Sequence, residues 1–172
     1  MTTQDRLARW NAGSREAFVA ALGHLFEHSP WVAEAAFEGR PFRDPEHLHA
    51  QLCAAMRGAG HARQRALILA HPDLAGRLGR AAALTAESAR EQASAGLDEM
   101  AQDEAAELAR LNRTYRERFG FPFILCARLN HRDAILAALR VRLESSPEQE
   151  HETALAEIEK IAWLRLQDLL KG

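Results

Sequence analysis

β-Branched residues are scarce in this chain: three Val, five Ile and five Thr among 172 residues. Strands draw on those residue types, so their scarcity argues against a sheet. Lysine is nearly absent, two against twenty Arg, and the 22 basic residues are interspersed with 24 acidic ones. With a net charge of −2 and no basic block, the sequence lacks the footprint of a nucleic-acid binder, and we read the Arg bias as genomic base composition. Only two cysteines occur, Cys53 and Cys126, far apart and without a C-x-x-C pair. That pattern fits a reducing compartment, with a single disulfide as the alternative. No apolar run approaches the roughly 20 residues of a membrane span. The opening MTTQDRLARW has no signal-peptide core, and the closing LLKG is not an SKL-type peroxisomal address. These absences predict a soluble, cytoplasmic protein with neither a nucleic-acid nor a membrane partner.

What fills the chain instead is helix-forming. Thirty-four Ala and 23 Leu dominate a composition that is 47% hydrophobic and 27% charged. A chain of this length buries enough surface to fold without a disulfide or metal, and no repeat, low-complexity tract or linker divides it. The expectation is an all-α, single-domain bundle of about seven to nine helices over residues 1–172, with one buried extended segment.

Helix signals recur along it. Ser14 caps a segment with Phe18, Leu22, Leu25 and Phe26 on one face. Ser29-Pro30 opens a short helix carrying Trp31 and Ala35, and Asp44-Pro45 opens another carrying Leu48, Leu52 and Met56. Gly58 and Gly60 punctuate before a helix over about 61–70. Residues 71–84, HPDLAGRLGRAAAL, then interrupt the pattern, because Pro72 disfavours helical geometry at His71 and two glycines follow. Thr85 precedes a helix that Gly96 stops, and a longer helix runs over about 103–119, with Leu108, Leu111 and Tyr115 inward and Gly120 ending it. FPFILCA at 121–127 is strand-like yet lies between helices, so it reads as a buried extended connection. A helix follows over about 131–144. Ser146-Pro147-Glu148-Gln149 is a capping box that opens the last helix, whose apolar face is Leu155, Ile158, Ile161, Ala162, Leu166 and Leu169.

Three stretches fit poorly with packing alone. Leu67–Ala70 carries an apolar helix end straight into His71, an imidazole placed where the chain cannot stay helical. A histidine meeting a helix C-terminus is the structural alternative. Ser88, Glu91, Gln92 and Ala95 share one face by i, i+3, i+4 and i+7 spacing, either a pocket lining or a solvated face. The apolar run 118–128 leaves backbone groups that need partners, which burial or a ligand supplies. Arg165, in an apolar stretch, calls for an anion, either an internal carboxylate or a bound substrate. Metal ligation has little support. His24 and His28 are spaced i, i+4 without a carboxylate motif, His47 and His49 would diverge on a helix, and no H-E-x-x-H occurs. Cys126 has no activating His or Lys beside it, so it is a weak nucleophile candidate.

Together these stretches carry a resemblance. HPDLAGR at 71–77, LTAESAREQASAGL at 84–97 and LNRTYRERFGFPFILCAR at 111–128, with SPWVAEAAF at 29–37 and IAWLRLQDLL at 161–170, resemble the 2-oxo-4-hydroxy-4-carboxy-5-ureidoimidazoline (OHCU) decarboxylases of urate degradation. The order and spacing of HPDLAG, ESxxEQxxAGL and FGFPF are specific, and the likeness spans nearly the whole chain. One departure is Arg128-Leu129, where the family pattern has Arg-Gly. The resemblance implies an all-helical homodimer without metal or organic cofactor, a carboxy-lyase converting the small molecule OHCU to (S)-allantoin and CO2. It implies that His71 is catalytic, with Glu91 beside it. Pro72 would be a pocket wall, and Ser88 and Gln92 would contact substrate. The backbone of Phe123, Ile124, Leu125, Cys126 and Ala127 would bind it, and Arg165 would close the site from the last helix. Two other readings stand beside this one: a same-fold enzyme acting on a related ureide, and a non-catalytic helical interaction module.

Overall fold

The structure, a computed structural model, describes residues 1–74 and 85–171. Ala75–Arg77 of the HPDLAGR motif, both glycines of the 71–84 interruption and Leu84 lie outside the described residues. Nine α-helices and no strand occur among the described residues: α1 (Thr3–Ala12), α2 (Arg15–Leu22), α3 (Trp31–Ala36), α4 (Pro45–Gly58), α5 (His61–Ala70), α6 (Ala86–Ser94), α7 (Gln102–Phe119), α8 (Arg132–Arg142) and α9 (Pro147–Lys171). Short 3-10 turns cover Phe37–Gly39, Leu97–Glu99 and Ala127–Leu129. The all-α expectation holds. The chain forms two compact units, one of Met1–Ala70 with Glu159–Gly172, the other of His71–Ile158.

In the first unit the core grows around Phe18, whose ring meets Phe37 edge-on at 5.5 Å and stacks on Phe42 at 5.6 Å. Asn11 holds the backbone of Phe42 at both polar atoms: its Nδ2 donates to the carbonyl (2.9 Å) and its Oδ1 accepts from the amide (2.8 Å). Asp44 caps α4 by accepting from the His47 amide at 2.6 Å, and Leu48, Leu52 and Met56 are buried on one side.

Several details differ from expectation. α1 was not anticipated; a Thr2–Asp5 capping box opens it. Ser29 does not cap α3 with its side chain, because its hydroxyl donates to the Glu27 carbonyl at 2.9 Å. Val32, Ala33 and Ala36 face inward on α3, while Ala35 is exposed. Beyond α2 the chain turns instead of staying helical, and His28 takes φ 46°, so His24 and His28 lack helical i, i+4 spacing. On α9 Leu170 is buried and Leu169 only half-buried.

In the second unit α7 presents Leu108, Leu111, Tyr115 and Phe119 to the core, and Gly120 ends it at φ 72°, a left-handed conformation that suits glycine. Tyr115 collects aromatic neighbours: Phe119 at 4.5 Å, Phe123 at 5.3 Å and Phe121 at 6.1 Å. Ile135, Leu136 and Leu139 of α8 add to the core. The connection through Pro122–Cys126 has neither helical nor strand bonding, and every residue from Phe121 to Ala127 is buried. The Arg128-Leu129 departure falls in the 3-10 turn Ala127–Leu129, with Leu129 exposed. Ser146 and Gln149 exchange amide bonds at 3.0 and 3.2 Å, the capping box read from sequence.

Candidate active site

Helix α6 carries the polar face. Thr85 caps it, its hydroxyl accepting from the Ser88 amide at 3.2 Å and donating to the Ser88 hydroxyl at 3.1 Å. Ser88, Gln92 and Ala95 are buried and Glu91 half-buried, whereas Ala86, Ala89, Arg90, Ala93 and Ser94 are exposed. The stripe therefore faces the protein interior and is not a solvated face. Placing hydroxyl, carboxylate and amide groups together inside costs free energy unless each finds a partner. Gln92 finds one in the Asp73 carbonyl, to which Nε2 donates at 3.2 Å.

That bond ties α6 to the segment holding His71 and Pro72. α7 fixes the same segment twice more. Asn112 Nδ2 donates to the Leu74 carbonyl at 2.8 Å, and Arg116 Nη2 reaches both oxygens of Asp73 at 3.0 Å. His71 is 7% exposed and Pro72 half-buried. Helical geometry ends at Ala70, as Pro72 requires. The residues that follow His71 are therefore held in place from α6 and α7.

The extended connection meets α6 from another direction. α6 packs on the turn Ala127–Leu129, and the Arg132 amide donates to the Ala95 carbonyl at 3.1 Å. Burial pushes the Cys126 thiol up, and the carboxylates of Glu157 and Glu91 push it further, which places Glu91 in the surroundings of Cys126. A thiol kept protonated in this way is a poor nucleophile. One unit thus gathers His71, Pro72, Ser88, Glu91, Gln92 and the connection 123–127.

Arg165 belongs to the other unit and is 5% exposed. Its Nη2 lies 3.0 Å from Glu27 Oε2, and Nη1 reaches the Leu25 carbonyl at 3.4 Å. Of the two anions that the sequence left open, an internal carboxylate is therefore present. Cys53 and Cys126 are free thiols. Among the described residues no three His, Cys, Asp or Glu side chains converge as metal ligands, and no helix is long and apolar enough to cross a membrane.

The sequence profile of one family, described as OHCU decarboxylase, matches residues 11–167. The chain belongs to the OHCU decarboxylase family. It is 44% identical over 161 residues to the 2-oxo-4-hydroxy-4-carboxy-5-ureidoimidazoline decarboxylase of Amia calva, covering 94% of this chain and 92% of that one. The corresponding protein of Haloferax volcanii is 43% identical, with 89% of each chain covered. Among solved structures, that of an (S)-allantoin synthase superposes with a TM-score of 0.77 at 29% identity, over 99% of this chain and 54% of that one.

For a member of the OHCU decarboxylase family, several residues around this site gave no sequence signal as site residues. Glu157 Oε2 accepts the Cys126 amide at 2.8 Å. Arg142 Nη1 donates to the Ile124 carbonyl at 2.6 Å, while its Nε and Nη2 pair with Glu150 Oε2 at 2.9 and 2.8 Å. Tyr115 donates its hydroxyl to the same Glu150 oxygen. In the other unit Glu27, 2% exposed, pairs with Arg165. The one available hint was position: Glu157 stands between Leu155 and Ile158 on an apolar helix face, where a carboxylate needs a buried donor.

Proposed function

We propose that this chain is a carboxy-lyase that decarboxylates OHCU to (S)-allantoin in urate degradation. The observation that carries the reading is the inward polar face of α6, tied through Gln92 to the carbonyl beside His71 and facing the connection at Cys126. The family match, running through both units, supports treating residues 1–172 as one working domain.

The substrate explains why these residue types suffice. Its carboxylate sits on the carbon that bears the hydroxyl, next to a ring C=N. When the C–C bond to CO2 breaks, its electron pair becomes a C=C bond in the ring and the imine nitrogen takes up the displaced pair together with a proton. The enol then gives up its hydroxyl proton and accepts a proton on the neighbouring carbon, which sets the handedness of allantoin. The substrate is its own electron sink, so neither a metal nor an organic cofactor is required by the chemistry. The protein must orient the carboxylate, stabilise developing charge and deliver the proton to one face.

In this reading His71 handles the hydroxyl proton and returns a proton stereospecifically. Glu91 accepts from ureido or ring N–H groups and orients His71. Ser88 and Gln92 give neutral hydrogen bonds to the ring amides, and Pro72 forms a wall. Backbone groups of Phe123–Ala127 receive the ring. Arg165 is assigned to a substrate carbonyl or carboxylate on its family position alone. We place the protein in the cytoplasm as a homodimer.

Circular dichroism of allantoin formation from freshly generated OHCU tests this directly. Rapid build-up of the (S) signal with protein, over the racemic spontaneous background, is expected. A His71→Asn variant should lose both the rate and the handedness. Racemic product at the uncatalysed rate from folded wild type would instead favour a related ureide as substrate, or a binding module.

A further inference from the structure

The connection 122–126 forms no strand among the described residues, yet two ionic side chains on different helices grip its main chain. Arg142 of α8 donates to the Ile124 carbonyl at 2.6 Å, and Glu157 of α9 accepts from the Cys126 amide at 2.8 Å. Both residues are buried. Neutral partners would satisfy a carbonyl and an amide at a smaller desolvation cost, so burying charges for this purpose asks for a reason.

Geometry supplies one. Cys126 is extended, with φ −69° and ψ 95°. Ile124 and Cys126 are two residues apart, so the grips hold the main chain on both sides of Leu125. Among the described residues none hydrogen-bonds the Leu125 N–H.

The Arg142 grip is itself braced. Its charge is met by Glu150, which also accepts the Tyr115 hydroxyl, and its guanidinium lies 4.4 Å from the centre of the Phe123 ring. The planar fork spends one side on Glu150 and aims the other at Ile124, a division that a lysine ammonium cannot reproduce.

We propose that Arg142 and Glu157 are positioning residues for the reaction: together they clamp the backbone at Ile124 and Cys126 so that the main chain of Leu125 between them is presented to the substrate in a fixed register. The proposal rests on the reading that this backbone receives OHCU. Neither residue touches the substrate. Loosening the clamp weakens binding and lets the ring sit in more than one orientation when the proton is added, so KM rises and enantiomeric purity falls.

The test measures KM and the enantiomeric excess of allantoin, with the spontaneous reaction subtracted, for wild type, Arg142→Lys, Glu157→Leu and Glu157→Gln. Arg142→Lys and Glu157→Leu should raise KM about tenfold or more, as expected for loss of a charge-assisted hydrogen bond, and should lower the enantiomeric excess. Glu157→Gln keeps an acceptor for the Cys126 amide and should restore most of both. Enantiomeric excess is a ratio over catalysed turnovers, so a variant that is only partly folded still reports it. A residue that merely stabilised the fold would scale the rate with the folded fraction and leave KM and enantiomeric excess unchanged; that result in Arg142→Lys and Glu157→Leu overturns the proposal. So does complete loss of turnover in a folded variant, which would put the residue in the chemistry itself. Racemic product from wild type would sink the underlying function instead, whatever the variants do.

Discussion

Arg165 is a buried charge whose ion pair can be tested apart from the substrate contact proposed for it. In water a guanidinium is well solvated; at 5% exposure it needs an anion, and Glu27, 2% exposed, provides one at 3.0 Å. If pairing were the whole purpose, Arg165→Lys and Glu27→Gln would act alike, lowering stability and leaving each folded molecule fully active. Under the assignment of Arg165 to the substrate they separate. Glu27→Gln leaves the guanidinium buried beside a neutral partner and should cost on the order of 3 kcal/mol in urea unfolding. Arg165→Lys keeps the charge but loses the fork, so kcat/KM per folded molecule should fall at least about tenfold. Equal kcat/KM for Arg165→Lys and wild type, after correction for folded protein, would confine Arg165 to its ion pair.

The helices were legible where a local rule sets their ends. Ser14, Asp44-Pro45, Thr85 and the Ser146–Gln149 box act as caps, and Gly96 and Gly120 stop their segments at φ 72°. Two glycines allow a paired test of that reading. Gly96 is left-handed and an added Cβ would lie 3.3 Å from His131 Nε2, whereas a Cβ at Gly58 would meet nothing within 4 Å. Gly96→Ala should therefore cost about 1–2 kcal/mol from backbone strain. Gly58→Ala, at the last residue of α4, should be neutral or gain up to about 1 kcal/mol. Thermal melts should show Gly96→Ala lowered and Gly58→Ala unchanged or raised, and equal shifts would contradict the conformational argument. What stayed illegible is physical in origin. Partners such as Arg165–Glu27 and Cys126–Glu157 stand 138 and 31 residues apart, so no local pattern links them. On α8, hydropathy would bury Val141 and expose Arg142; the structure does the reverse, at 71% and 9% exposure, because Glu150 and the Ile124 carbonyl wait for the guanidinium. The α6 stripe was seen as a face, but spacing alone could not say which side of it met water.

For the whole molecule, the shortage of lysine bears on stability at high pH. The buried ion pairs Arg142–Glu150 and Arg165–Glu27, and the half-buried Arg57–Glu159, use arginine, which keeps its charge throughout the accessible range, so they persist as pH rises. The groups that do respond are the thiols and the phenol. Cys53 is pushed up to about 12, chiefly by burial and then by the Glu159 carboxylate, with Arg57 opposing. Cys126 moves up for the same leading reason, and Tyr115 is raised by burial and by its bond to Glu150. In the unfolded chain a thiol gives up its proton from near its ordinary 9.0, whereas folded Cys53 holds it to about 12. Across that interval the folded state binds more protons than the unfolded state, so stability must fall as pH rises. Below pH 9 both states keep the proton and the contribution is intact. The urea midpoint should therefore be unaffected by these groups up to about pH 8.5 and decline progressively from about pH 9. Cys53→Ser removes one of the responsible groups and should make the alkaline decline shallower than in wild type. A Cys53→Ser profile as steep as the wild-type one would mean that the Cys53 thiol is solvated in the folded protein, and that the contact it makes with His49 at 3.3 Å does not persist in solution.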